Sequence, residues 1–111
     1  MIERISASTA DCFMLENRVR DLGIHAKSDQ MYGYYIDGLL VGIGGIRGRT
    51  IVSLLVRKDY RCRGVGTSIV RYLMNLGGDN CFATVDSEPI FAKYGFVVTK
   101  SYKISKRMKK A

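Results

Sequence analysis

The stretch from Thr50 to Gly78 constrains this chain more than any other. Thr50–Val56 is a run of β-branched and leucine residues broken only by Ser53, the pattern of a strand buried on both faces. A basic loop follows, Arg57-Lys58-Asp59-Tyr60-Arg61-Cys62-Arg63-Gly64, and then Val65, Ile69, Leu73 and Leu76 recur at helical spacing until Gly77-Gly78 ends the helix. A strand that feeds a glycine-bearing loop and a helix start aims unpaired backbone N–H groups, and the positive end of the helix dipole, at one point. Glycine is needed because a Cβ would hold a phosphate away from the backbone, while Arg61 and Arg63 add charge and bidentate donors. This is an anion site suited to a pyrophosphate. Neither common nucleotide fingerprint fits, since a Rossmann loop would need glycine where Ile69 stands and a P-loop would need Gly-Lys-Ser/Thr.

Elements around this segment suggest one α+β domain of 111 residues, a mixed β-sheet flanked by helices. Ser8 or Thr9 opens a first helix, with Cys12, Leu15, Val19 and Leu22 as its apolar stripe and Gly23 as its end. Tyr32, Tyr34, Tyr35 and Ile36 then lead through Asp37-Gly38 to Leu39–Ile46, a strong hairpin signal because both turn positions need positive φ. Gly42, Gly44 and Gly45 read as a bulge or as tight packing. After the central helix come a short strand, Cys81–Val85, a short helix with Ser87 as cap and Pro89 in its first turn, and a last strand, Phe96–Ile104. A basic tail from about residue 100 to 111 closes the domain.

Composition excludes several classes. The apolar fraction of 47% is too high for a disordered chain, and the longest uncharged run, Gly38–Ile46, is too short to span a bilayer. No secretory signal is visible. Cys12, Cys62 and Cys81 suit neither a disulfide scaffold nor a metal site, so a reducing cytoplasm is expected. The net charge of +8 is concentrated in two places. Arg47, Arg49, Arg57, Lys58, Arg61, Arg63 and Arg71 face only Asp59 in one block, and Lys100, Lys103, Lys106, Arg107, Lys109 and Lys110 face no acid in the other. Such blocks steer anions: a cofactor phosphate, nucleic acid or an acidic protein surface.

Leu54-Leu55-Val56 followed by Tyr60-Arg61-Cys62-Arg63-Gly64-Val65-Gly66 resembles the acetyl-coenzyme A motif of the GCN5-related N-acetyltransferases (the GNAT family), whose loop reads Arg/Gln-x-x-Gly-x-Gly/Ala. Phe91-Ala92-Lys93-Tyr94-Gly95-Phe96 is similar to that family's second signature, a short helix ending in Gly-Phe. The resemblance implies two parallel strands that splay to admit the pantetheine arm. It implies that the backbone of Leu55 and Val56 pairs with pantetheine, and that Arg61, Cys62, Arg63, Gly64, Val65, Gly66, Thr67 and Ser68 hold the pyrophosphate. It also places Asp86 and Ser87 beside the pantetheine or thioester.

The match departs where protons move. The strand Thr50–Val56 has no carboxylate to deprotonate an amine, and the tyrosine the family places four residues before the glycine of Gly-Phe is Phe91. Tyr94 and Ser87 are the leading substitutes as acid, with Tyr60 and Tyr102 behind them, and Asp86 leads Glu88 and His25 as proton relay. The expected function is acetyl-CoA-dependent transfer of acetyl to an amine. Because only one helix and a loop precede the second strand, the acceptor is expected on a macromolecule: protein, aminoacyl-tRNA or a nucleic-acid base. The alternative is a non-catalytic nucleic-acid or anion-binding module on a degenerate GNAT fold. A small domain with a thinly covered sheet is also expected to form a homodimer.

Overall fold

A computed structural model describes residues 1–17, 30–84, 86–103 and 105–111. The expected positions Val19, Leu22, Gly23, His25, Val85 and Ile104 lie outside the described residues. Strand β2 (Gln30–Ile36) turns into β3 (Leu39–Arg47) through Asp37 and Gly38, whose φ angles of 49° and 79° give the hairpin turn its twist. A second hairpin, through Gly48, joins β3 to β4 (Thr50–Val56), with Arg47 opposite Thr50. A four-residue strand β1 (Ile2–Ile5), too short to stand out in the sequence, adds antiparallel to β2.

The central helix α2 (Val65–Asn75) buries Val65, Ile69, Val70 and Leu73. It lies against β3, where a Cβ built on Gly44 would come within 2.6 Å of Ile69 and 3.0 Å of Leu73. Both readings of the glycine cluster hold, because the β3–β4 register also shifts between Ile43 and Gly45. Ile43 points to the other face, where it packs with Ala10, Phe13 and Met14 of α1 (Ala7–Glu16) and with Met31. Alternation along β3 therefore puts α1 and α2 on opposite faces of the sheet.

Strand β5 (Asn80–Ala83) pairs parallel with β4 only at Thr50↔Asn80 and Ile51↔Cys81. Beyond those pairs the two strands run on unpaired, which is the splay the resemblance implied. After β5 come α3 (Glu88–Lys93), β6 (Phe96–Ser101) and β7 (Lys106–Lys110), and the sheet order is β1-β2-β3-β4-β5-β7-β6.

Four expectations need correction. The first helix is capped by Ser6, whose Oγ accepts from the Thr9 N–H at 3.1 Å, and not by Ser8 or Thr9. Its inward face is Ala10-Phe13-Met14, while Cys12 and Leu15 are exposed, Leu15 by 75%. Two stripes of helical period coexist in that segment, and the one bearing the phenylalanine docks. Strand β4 is fully buried only at Ile51 and Val52, since the splay opens the rest. The basic tail is largely strand: β7 lies between β5 and β6 and buries Met108 among four cations. One apolar residue among lysines carries little strand signal, and the ladder on both sides supplies what the sequence lacks.

Candidate active site

Where β4 and β5 separate, a cavity of about 670 Å³ passes between them. Ser53 to Val56 form one wall, and Thr84, Asp86, Ser87, Pro89 and Ile90 form the opposite one. Arg61, Cys62, Gly64, Gly66 and Thr67 close one end, and Met14, Phe82 and Ser105 complete the lining. At Ser53 the chain takes φ 58°, an uncommon value for a non-glycine residue. That bend lies just past the last β4–β5 pair. Past it, β4 still pairs through Leu55 and Val56 with β3, while its other edge, no longer paired with β5, faces the cavity.

The loop end is built from backbone. Gly64, at φ 81°, caps α2 without a side-chain bond. The Ser68 N–H already bonds Gly64 O at 3.0 Å, so the donors with no intrahelical acceptor are those of Val65, Gly66 and Thr67. Gly66 lies against Ile90, whose Cδ1 would be 2.8 Å from an added Cβ. Arg61 Nε donates to the Val56 carbonyl at 3.2 Å, which fixes that arginine at the mouth. Arg63 stacks 5.3 Å over the Tyr60 ring and does not line the cavity. Among the expected cofactor residues, Leu55, Val56, Arg61, Cys62, Gly64, Gly66 and Thr67 line it, whereas Val65 is core and Ser68 lies one turn on. Arg49 and Arg57 are committed elsewhere, to Asp79 and Glu16.

The opposite wall depends on side chains, and several expected ones point away. Asp86 lines the cavity and is its only carboxylate among the described residues. Ser87 lines it too, but only 7% of its surface is exposed. Its Oγ accepts from the Thr84 N–H at 2.9 Å and lies 3.2 Å from the Thr84 hydroxyl, closing the β5–α3 turn and leaving α3 without a side-chain cap. Tyr94 caps the C-terminus of α3, packs against the core, accepts a hydrogen bond from Lys110 through its carbonyl and is absent from the lining. Phe91 is wholly buried, 5.3 Å from the Phe96 ring. Glu88 pairs with Lys106 at 3.1 Å. Burial pushes the Cys81 thiol up to about 12, so it stays protonated and takes no nucleophilic role. No cluster of three or more metal-ligating side chains occurs among the described residues.

The sequence does not single out Met14, Ser53, Leu54, Phe82, Thr84, Pro89, Ile90 and Ser105 as lining residues. Only Ser53 carried a signal, as the lone polar residue in an apolar strand.

A model of the acetyltransferase (GNAT) domain matches residues 5–109. The chain belongs to the GNAT acetyltransferase family. Its enzyme class is therefore that of an acyltransferase. Among solved structures, the fold is similar to that of Arabidopsis thaliana Naa50 in complex with the bisubstrate analogue CoA-Ac-MVNAL, at 14% identity and a TM-score of 0.76, covering 100% of this chain and 97% of that one. Ard1 from Thermoplasma volcanium gives 19% identity and a TM-score of 0.71, with 97% and 94% covered. The PaiA N-acetyltransferase from Thermoplasma acidophilum, in complex with coenzyme A, gives 13% identity and a TM-score of 0.64, with 100% and 98% covered. A search of curated proteins by sequence finds no match. No helix among the described residues is long and apolar enough to cross a membrane.

Proposed function

We propose that this GNAT domain takes acetyl from acetyl-CoA and transfers it to an amine carried by a macromolecule. One observation carries the reading: the cavity passes between β4 and β5, from the start of α2 to Met14 of α1 on the opposite face. Two substrates can then meet from opposite sides of the sheet. The N–H groups of Val65, Gly66 and Thr67, with Arg61, receive the pyrophosphate. The open edge of β4 at Leu55 and Val56 offers amide partners to pantetheine. The fold's likeness to PaiA with coenzyme A, and to Naa50 with an analogue joining coenzyme A to a peptide, supports both halves of the proposal.

In the transfer step the amine nitrogen attacks the thioester carbon, the carbon–sulfur bond breaks, and the sulfur leaves as thiolate. Asp86 takes the ammonium proton through water, as the cavity's only carboxylate among the described residues. The tyrosine donors expected from sequence do not line the cavity, so the second proton, shed by the nitrogen as the amide forms, reaches the thiolate through water near the Thr84 and Ser105 hydroxyls. Exposed thiols at Cys12 and Cys62 suit a reducing compartment such as the cytoplasm. Self-association as a homodimer belongs to the same proposal, and a monomer mass by light scattering would remove it.

Release of free coenzyme A thiol, followed with and without protein, peptide and nucleic-acid acceptors, tests the reading. Acceptor-dependent release with acetyl recovered on the acceptor is expected. No release with any acceptor class would return the chain to the non-catalytic module.

A further inference from the structure

Strands β5, β7 and β6 carry Lys100, Lys106, Arg107, Lys109 and Lys110 and no acidic residue. Register sorts these cations between the two faces. Cys81, Met108 and Phe96 point to the core with Lys106 and Lys110, which are tied to Glu88 and to the Tyr94 carbonyl. The opposite face receives Phe82 paired with Arg107, Lys109 paired with Val97, and Lys100 paired with Arg107. Here cations and aromatic planes are interleaved. The Arg107 guanidinium lies 5.1 Å over the Phe82 ring, Phe82 and Tyr102 have ring centroids 6.4 Å apart, and the Lys100 ammonium lies 5.3 Å over Tyr102. Tyr102 is 45% exposed and Val97 51%. The neighbouring carboxylate, Asp79, is held by Asn80 and by Arg49, each at 2.8 Å, which together with the nearby Lys109 charge keep its pKa low. This surface continues into the cavity through Phe82, which lines it.

We infer that this face docks the acceptor, and that the acceptor is a single-stranded end of a nucleic acid. Cations alone would suit any polyanion, but the carboxylates of an acidic peptide do not stack on the Phe82–Tyr102 planes as bases do. Single-stranded nucleic acids match both elements: phosphates meet Lys100, Arg107 and Lys109 while bases stack on the exposed Tyr102 ring and on the Arg107 plane that covers Phe82. A splayed end is required because an amine held inside a duplex cannot enter a cavity of this size. The inference rests on the transferase reading of the same site.

The test is fluorescence anisotropy with a labelled single-stranded RNA of about ten nucleotides, repeated across a salt series and against an oligoglutamate peptide. Coenzyme A-dependent thermal stabilisation is measured on every variant as the control for folding and for the other end of the cavity. Three phosphate contacts predict a log–log salt slope of about −2. Lys100→Glu with Lys109→Glu should flatten that slope by about 1.4 and weaken binding by at least about tenfold. Tyr102→Ala should cost about tenfold, as loss of one stacked base does, with the coenzyme A shift intact. Unchanged RNA affinity in both variants would overturn the inference. So would oligoglutamate binding as tightly as RNA with the same loss in Tyr102→Ala. Absence of the coenzyme A shift in the wild type would instead remove the transferase reading and the acceptor role with it, leaving the RNA data to decide the binding surface.

Discussion

The two ends of the cavity are made of different things. At the α2 end the working groups are backbone N–H donors, placed by Gly64 at φ 81° and by the closeness of Gly66 to Ile90. At the β5–α3 end they are side chains: Asp86 and Thr84 line the space, while the Ser87 hydroxyl closes the turn and Phe91 and Tyr94 serve the core and a helix end. The contrast teaches that a site written in backbone geometry depends on a few glycines, whereas one written in side chains depends on which way each residue turns once the core has packed.

The largest expected effect breaks the first end. No atom of the chain crowds a Cβ at Gly64, so the constraint the fold itself sets there is its positive φ. Gly64→Val should cost about 1–3 kcal/mol through a strained backbone and abolish coenzyme A binding. The lost ligand stabilisation is about 2.7 kcal/mol at a hundredfold excess over Kd, roughly 10–20 °C of melting temperature for a domain of this size. Gly64→Asn should keep the shift, since asparagine tolerates the left-handed region. Equal shifts in wild type and the valine variant would remove the loop from cofactor binding. Next comes the second end: Asp86→Asn should slow acetyl transfer by about a hundredfold with the coenzyme A shift unchanged. A rate equal to wild type would leave Asp86 without a part in proton transfer.

The same contrast explains what was legible in the sequence. The loop from Arg61 to Thr67 was readable because glycine spacing between a strand and a helix encodes where N–H groups point, whatever the surrounding side chains do. The splay of β4 and β5 came only with the family resemblance, and the cost to β4's burial was invisible to a pattern of apolar residues. Strand β7 was hidden because Lys106–Lys110 has one apolar residue and owes its ladder to β5 and β6. Helix α1 offered two stripes of equal period, and only the sheet beneath it selects Phe13 over Leu15. Residue type makes Ser87 a helix cap or an acid, yet its hydroxyl closes the turn before the helix, a local competition that residue type cannot reveal.

Phe91 sharpens the comparison at intermediate size. By position it is the missing acid, and sequence alone makes Phe91→Tyr a candidate for a gain in rate. In the structure that ring is sealed in the core against Phe96, so the added hydroxyl would meet apolar neighbours. We expect a loss of about 1–3 kcal/mol from an unsatisfied buried hydroxyl and no change in turnover. A faster enzyme with unchanged stability would mean that the ring edge reaches the cavity after all.

The smallest effect concerns Cys81, on β5 at the last pair before the strands part. Burial raises its thiol from an ordinary 9.0 to about 12. A raised pKa means that the unfolded chain gives up the proton first, so the stabilising difference is complete below pH 9 and declines as pH climbs toward 12. Between pH 10 and 11 this single group should make unfolding easier by about 1.4 kcal/mol per pH unit. Cys81→Ala also lowers stability near neutral pH by removing packed volume, so the informative quantity is the slope and not the level. Melting followed from about pH 8.5 to 11 should fall more gently in the alanine variant. Parallel slopes in wild type and Cys81→Ala would show that β5 is open to solvent at the point of splay, and that the dry region between the two ends of the cavity is narrower than the packing of Cys81 indicates.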